Sequence, residues 1–214
     1  MNKVKYDKVK YNFLEIVQDW LETDDLTKLH DFKKYKLFKR VNDQSSMWHK
    51  MFYNQIRVDK RFDNLYTQFL EEEVKPTFGE TIVYQKIPTF RVHLPGNISV
   101  GEFHKDKHYR DINWAKKVKE VNYYLPLTKA YGTNTIWTET EEDSGDFKSM
   151  DCDYGEFYEW DASNLTHGNK INVTSMTRVS FDFRVIPESR YIESNHKTIN
   201  VGMSFSLGGY YEKI

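Results

Sequence analysis

His104 and Asp106, with Lys105 between them, place an imidazole and a carboxylate on one side of an extended chain, because side chains two apart in a strand share a face. Neighbouring ligands of one metal ion are supplied in this way. The pair carries little weight alone in a chain with seven histidines. Taken by itself it reads better as a polar turn, since Lys105, Lys107 and His108 surround it. A third ligand is needed, and His167, in Leu165-Thr-His-Gly-Asn169, offers one some sixty residues later. Two histidines and one carboxylate on one face of an octahedron leave three positions open, which suits iron(II) binding a chelating co-substrate and dioxygen. Zinc accepts the same ligands, so the set does not choose the metal. His108, four residues past His104, would compete as a ligand on a helix, but Gly101 and the β-like residues before it favour a strand end.

Eleven residues after His167 comes Arg178, in Thr177-Arg-Val-Ser-Phe-Asp-Phe-Arg-Val185. Alternation puts Val179, Phe181, Phe183 and Val185 on one face, and Arg178, Ser180, Asp182 and Arg184 on the other. If the polar face lines an interior, a guanidinium there needs an anion, because an unpaired buried charge is strongly unfavourable. A dicarboxylate would meet that need, held bidentately by Arg178 with one more hydrogen bond from Ser180.

His-x-Asp, a distant His and then Arg-x-Ser is a pattern that resembles the Fe(II)/2-oxoglutarate-dependent oxygenase superfamily. The runs Ile87-Pro-Thr-Phe-Arg-Val-His-Leu-Pro-Gly-Asn97, Gly132-Thr-Asn-Thr-Ile-Trp137 and Leu165-Thr-His-Gly-Asn169 narrow the resemblance to its streptomycin-biosynthesis (StrG-like) subgroup over roughly residues 80 to 186. The resemblance implies a double-stranded β-helix (jelly-roll, cupin-like) core and Fe(II), 2-oxoglutarate and O2 as cofactor and co-substrates. Carried over residue by residue, His104, Asp106 and His167 would be catalytic metal ligands, and Arg178 with Ser180 would hold the far carboxylate of 2-oxoglutarate. Asn122 and Thr135 are further candidates for the co-substrate pocket, and Arg91, Arg184 and Trp114 for the substrate. Arg184 has a structural alternative in pairing with Asp182 or Asp161, and Arg91 in an interior ion pair. Trp114 is read on an irregular loop over the iron. The implied reaction is hydroxylation, desaturation or ring closure of a small polar metabolite with release of succinate and CO2. Halogenases of this superfamily lack the ligand carboxylate, so an intact Asp106 argues against halogenation. The alternative function is a cupin-like metal-binding protein or isomerase without oxygen chemistry.

The elements that must position these residues fall into two textures. Up to about residue 80 the pattern is helical: Phe13, Leu14, Ile16, Val17, Trp20 and Leu21 share one helical face, and Phe62, Leu65, Phe69 and Leu70 another, before Pro76. From residue 81 short β-branched and aromatic runs alternate with turn signals. They predict strands near 81–86, 89–94, 98–104, 120–125, 133–139, 155–161, 165–168, 177–186 and 199–206. The expected architecture is therefore an all-β core with flanking helices, the N-terminal helices packed on its outside. One domain, 1–214, is expected, with a helical buttress over 1–80, a core over 81–206 and an extension over 187–214 serving as lid or closing strand. Residues 139–161 carry ten acidic groups against Lys148 alone. They lack the frame of a calcium loop and read as a solvated hairpin loop.

Bulk composition bounds the function. The chain has 214 residues, 29% charged and 39% hydrophobic, with net charge −1, which favours one folded core over disorder and gives no basic surface for nucleic acid. Cys152 is the sole cysteine, so a disulfide within the chain and multi-thiolate metal sites are excluded. Without an apolar run long enough for a span or a secretory signal, the expectation is a cytoplasmic protein with a small-molecule substrate and neither membrane nor nucleic-acid partner; oligomeric state is left open.

Overall fold

The computed structural model describes residues 1–32, 45–99, 102–109, 111–194 and 204–214. A first strand, β1 (Asn2–Lys5), precedes helices α1 (Phe13–Leu21), α2 (Met47–Gln55) and α3 (Lys60–Phe69). Each helix opens on a cap its sequence supplies: the side chains of Asn12, Ser46 and Asp59 accept from the backbone N–H of Glu15, His49 and Arg61. Phe13, Ile16, Val17, Trp20 and Leu21 of α1 are all buried, as the helical spacing predicts, while Leu14 is only partly so.

The rest of the chain forms β2 (Ile82–Gln85), β3 (Thr89–His93), helix α4 (Ile112–Val118), β4 (Val121–Pro126), β5 (Ile136–Thr138), β6 (Lys148–Ser149), β7 (Glu156–Trp160), β8 (His167–Asn169), β9 (Arg178–Pro187) and β10 (Tyr211–Lys213). Among the described residues the larger sheet runs β1-β7-β4-β9-β2-β10, with β3 also paired to β9, and the smaller runs β6-β5-β8. Strand β9 is the spine. One of its edges takes β4, with Val121–Pro126 opposite Val185–Ser180. The other is shared end to end by β3, with Thr89–His93 opposite Asp182–Arg178, and β2, with Ile82–Tyr84 opposite Pro187–Val185.

The two faces of β9 do different work, as its alternation predicts. Val179, Phe181, Phe183 and Val185 join the main apolar cluster with α1, α2 and α3. There Phe181 meets Phe62 edge-on at 5.2 Å, and Phe52 stacks on Phe90 at 4.3 Å. Arg178, Ser180, Asp182 and Arg184 turn to the opposite face, toward the smaller sheet.

Three segments differ from expectation. The strand expected over 98–104 reduces, within the described residues, to one bridge at His104. The stretch after it, read as irregular, contains α4, because Asp111 caps it by accepting from the Trp114 N–H at 2.8 Å. Of the strand expected at 199–206, residues 199–203 lie outside the described residues; the strand that closes the sheet comes later, as β10 on β2. Among the described residues no helix is long and apolar enough to cross a membrane.

Candidate metal and co-substrate site

His104 and His167 face each other across a two-residue antiparallel bridge, each backbone N–H donating to the other's carbonyl at 2.9 Å. Directly opposed residues project to the same side, so the two rings lie 4.4 Å apart. Asp106 begins a short 3-10 turn two residues on, and its Oδ1 is 3.4 Å from His104 Nε2 and 3.7 Å from His167 Nε2. One donor atom from each of the three lies within 4.8 Å of the others. His104 Nδ1 faces the Glu102 carbonyl at 2.7 Å, and His167 Nδ1 faces the Leu165 carbonyl at 3.0 Å. A carbonyl only accepts, so each Nδ1 carries a proton and each Nε2 is turned toward Asp106. Burial holds the His167 pKa below its ordinary value and so keeps that ring neutral. For His104, burial pulls the same way but is overcome by the Asp106 carboxylate, which accepts a hydrogen bond from the ring, and its pKa is raised.

Arg178 lies across the same cavity and is 1% exposed. Its Nε donates to the Asn134 carbonyl at 3.0 Å and NH1 to Ser180 Oγ at 2.7 Å, with the Tyr124 ring 5.8 Å away. Among the described residues no carboxylate stands within ion-pair distance of it. A buried guanidinium with only neutral partners is an incomplete arrangement that an anion would complete. His104, Asp106, His167 and Arg178 line one cavity of about 70 Å³. Two further polar atoms of its lining residues, Trp160 Nε1 and Asn122 Oδ1, are buried without a hydrogen-bond partner among the described residues.

The remaining sequence candidates divide. Asn122 and Arg184 line the cavity but are turned to Asp106: Arg184 NH2 donates to Asp106 Oδ2 at 2.7 Å and Asn122 Nδ2 to the same oxygen at 3.4 Å. The partner of Arg184 in the site is thus Asp106, not Asp182 or Asp161. Arg91 also lines the cavity and has the interior ion pair considered for it, with Asp182 at 2.9 Å. Thr135 does not reach the cavity; its hydroxyl donates to the Met150 carbonyl at 2.7 Å. Trp114 sits on α4 rather than on a loop, against Phe205, its indole N–H donating to the Ile192 carbonyl at 2.7 Å, and is not among the cavity residues. His108 is exposed and stands apart from the three-residue group.

Two contributions escaped the sequence reading. Trp160 packs edge-on against His167 at 4.7 Å; the alternation of β7, which sends Phe157 to the helix-side core, would have assigned Trp160 to the site face. The acidic segment is also more than a solvated loop. Lys105 and Lys107 point away from the site, and Lys105 Nζ binds Asp143 at 2.6 Å and Glu142 at 3.2 Å, while Lys107 pairs with Glu142. The strand end carrying His104 and Asp106 is therefore tied down from behind by charges of that segment.

The chain is 33% identical over 213 residues to the streptomycin biosynthesis protein StrG of Streptomyces griseus, covering 99% of this chain and 98% of that protein. No protein-family model matches it. In fold it is similar to the non-haem monooxygenase ThoJ in its nickel complex, with TM-score 0.50 and 10% identity over 92% of this chain and 78% of that one. A second structure of similar fold is SnoN, a non-haem alpha-ketoglutarate-dependent epimerase from nogalamycin biosynthesis, at TM-score 0.50 and 10% identity over 86% and 76%.

Proposed function

Because the chain belongs to the family of the streptomycin biosynthesis protein StrG, and its fold is similar to those of a non-haem monooxygenase and a non-haem alpha-ketoglutarate-dependent epimerase, we propose that it is an Fe(II)- and 2-oxoglutarate-dependent dioxygenase. Its substrate is a small polar metabolite and its core a double-stranded β-helix. One observation carries the reading: a His-Asp-His group and a buried guanidinium without a carboxylate partner face one cavity. Zinc would accept the three ligands, but it gives no reason for the cation opposite them. A dicarboxylate spanning the cavity does.

The donor set fits iron(II): two imidazoles whose Nε2 atoms face one carboxylate, with an open side onto the cavity, the metal taking the place of any proton on His104 Nε2. His104, Asp106 and His167 would hold the metal. Arg178 would pair with the far carboxylate of 2-oxoglutarate, and Ser180 Oγ, already bonded to Arg178, would accept from the guanidinium while its hydroxyl proton donates to that carboxylate. When bound, iron and 2-oxoglutarate supply the oxidising power from dioxygen: co-substrate, O2 and a substrate C–H give succinate, CO2 and the hydroxylated product. The chain's own residues supply position and dryness. Trp160 shields the inner side of His167, and the indole N–H and the Asn122 carbonyl oxygen, both without partners among the described residues, offer a donor and an acceptor to whatever occupies the cavity. Arg91 and Asp182 give the floor a charged pair to which hydroxyl or amino groups of a polar substrate can bond.

Anaerobic titration of the metal-free protein with Fe(II) and then 2-oxoglutarate tests the reading. A weak visible charge-transfer band is expected in the wild type and is expected to vanish in His167→Ala. Absence of the band in wild-type protein that binds Fe(II) would favour the cupin-like, oxygen-independent alternative instead.

A further inference from the structure

Arg184 is engaged unlike the other two arginines of the cavity. Besides Asp106 Oδ2, it donates through NH1 to the Tyr210 hydroxyl at 2.7 Å and to Gln85 Oε1 at 3.4 Å, and its Nε lies 3.9 Å from Glu120 Oε2. Tyr210 belongs to the segment entering β10, whose register on β2 sets Tyr211 opposite Gln85, and the Tyr211 hydroxyl donates to Glu120. The residues around β10 thus reach Asp106 through one guanidinium. Asp106 in turn is divided: Oδ1 faces both imidazoles, while Oδ2 is held by Arg184 and approached by Asn122. A carboxylate oxygen has two lone-pair sites, and with Arg184 and Asn122 both aimed at Oδ2, bringing that oxygen to the metal as well displaces one of them or draws it out of line with the short charge-assisted bond from Arg184.

We propose that Arg184, braced by Tyr210, is a positioning residue that restricts Asp106 to one ligating oxygen, and that the segment leading into β10 is thereby part of the metal site. This rests on the oxygenase reading, which needs three open metal positions for a bidentate co-substrate and dioxygen. A second oxygen from Asp106 would take one of them. The restraint therefore acts on co-substrate binding as well as on metal binding, which a purely structural ion pair would not do.

The test uses Co(II) alone, then 2-oxoglutarate added to the Co(II)-saturated protein, with thermal unfolding of the metal-free protein alongside. In Arg184→Gln the Co(II) affinity is expected to fall about 10- to 100-fold, and 2-oxoglutarate affinity at saturating Co(II) is expected to fall with it. Arg184→Lys, which keeps a cation able to reach Oδ2, restores part of both. Tyr210→Phe lowers both by several-fold and removes nothing but a hydroxyl, so it decides the matter if Arg184→Gln does not fold. Co(II) and 2-oxoglutarate affinities within about twofold of wild type in the folded variants, with only unfolding temperature changed, overturn the proposal. Wild-type protein that binds Co(II) but not 2-oxoglutarate overturns the oxygenase reading and leaves the Co(II) comparison to decide the role of Arg184. Wild-type protein that binds no Co(II) overturns both.

Discussion

At the scale of single residues, the site turns on which polar atoms are satisfied by the protein and which are left for something else. His104 and His167 use the same local device, an Nδ1–H bound to the carbonyl two residues earlier, so their orientation is fixed within their own segments. Arg178 is the opposite case, buried and bonded only to neutral groups. Arg178→Ala is expected to weaken 2-oxoglutarate binding by about 100-fold, the loss of a charge-assisted bidentate pair of roughly 3 kcal/mol, while Fe(II) affinity changes little. Titration of the two ligands separately checks this, and equal losses for both would mean that Arg178 serves the fold rather than the co-substrate. These residues were legible because each is marked by type and spacing. The tie between Arg184 and Asp106 was not: alternation assigns a side chain to a face, but which of several carboxylates it meets there depends on residues 78 apart in the chain. For the same reason Thr135 passed as a pocket residue, although its hydroxyl is spent on Met150.

At the scale of elements, the close approach of strands sets the geometry of the ligands. A Cβ on Gly168 would lie 3.0 Å from Phe103 Cα and from its ring. The ring is partly exposed and can turn, but the backbone carbon adjoins His104 and cannot move without moving the bridge between His104 and His167. Gly168→Ala is expected to lower metal affinity several-fold with little loss of helical signal; unchanged Co(II) affinity would show that the bridge tolerates the displacement. On the other face of the larger sheet, Phe181 touches Phe13, Phe52, Phe62 and Phe90. Phe181→Ala should destabilise the protein by about 3–5 kcal/mol through cavity formation, read as a fall in the urea midpoint. Strands with strong alternation, β3, β4, β7 and β9, were legible to within a residue or two. The short pieces β1, β6 and β10 carry no pattern of their own and form by pairing to β7, β5 and β2, so only the tertiary fold reveals them. Helix α4 was hidden by its polar flanks, although Asp111 is an ordinary N-cap.

At the scale of the whole molecule, two histidines outside the three-residue group link folding to pH. Burial, and then the charges of Arg91 and Arg178 respectively, push His49 and His93 down to about 3. Both are neutral in the fold, whereas in the unfolded chain they gain protons below about pH 6.5. The unfolded state therefore binds more protons between about pH 6.5 and 3, and stability falls as pH falls through that window, by up to about 1.4 kcal/mol per pH unit for each histidine. Urea midpoints of the metal-free protein at several pH values should decline accordingly, and His49→Gln should flatten the decline; an unchanged slope in that variant would show that His49 does not contribute. Helices, sheets and pocket meet in β9, where Val179, Phe181, Phe183 and Val185 face the helices while Arg178, Asp182 and Arg184 line the cavity and Ser180 is bonded to Arg178. Sequence drift along this one strand should therefore follow two clocks. Positions 179, 181, 183 and 185 exchange among apolar side chains of similar volume under selection for folding alone. Positions 178, 180, 182 and 184 change only when the chemistry in the cavity changes. A family diverging toward new substrates would record that history at every second residue of a single strand.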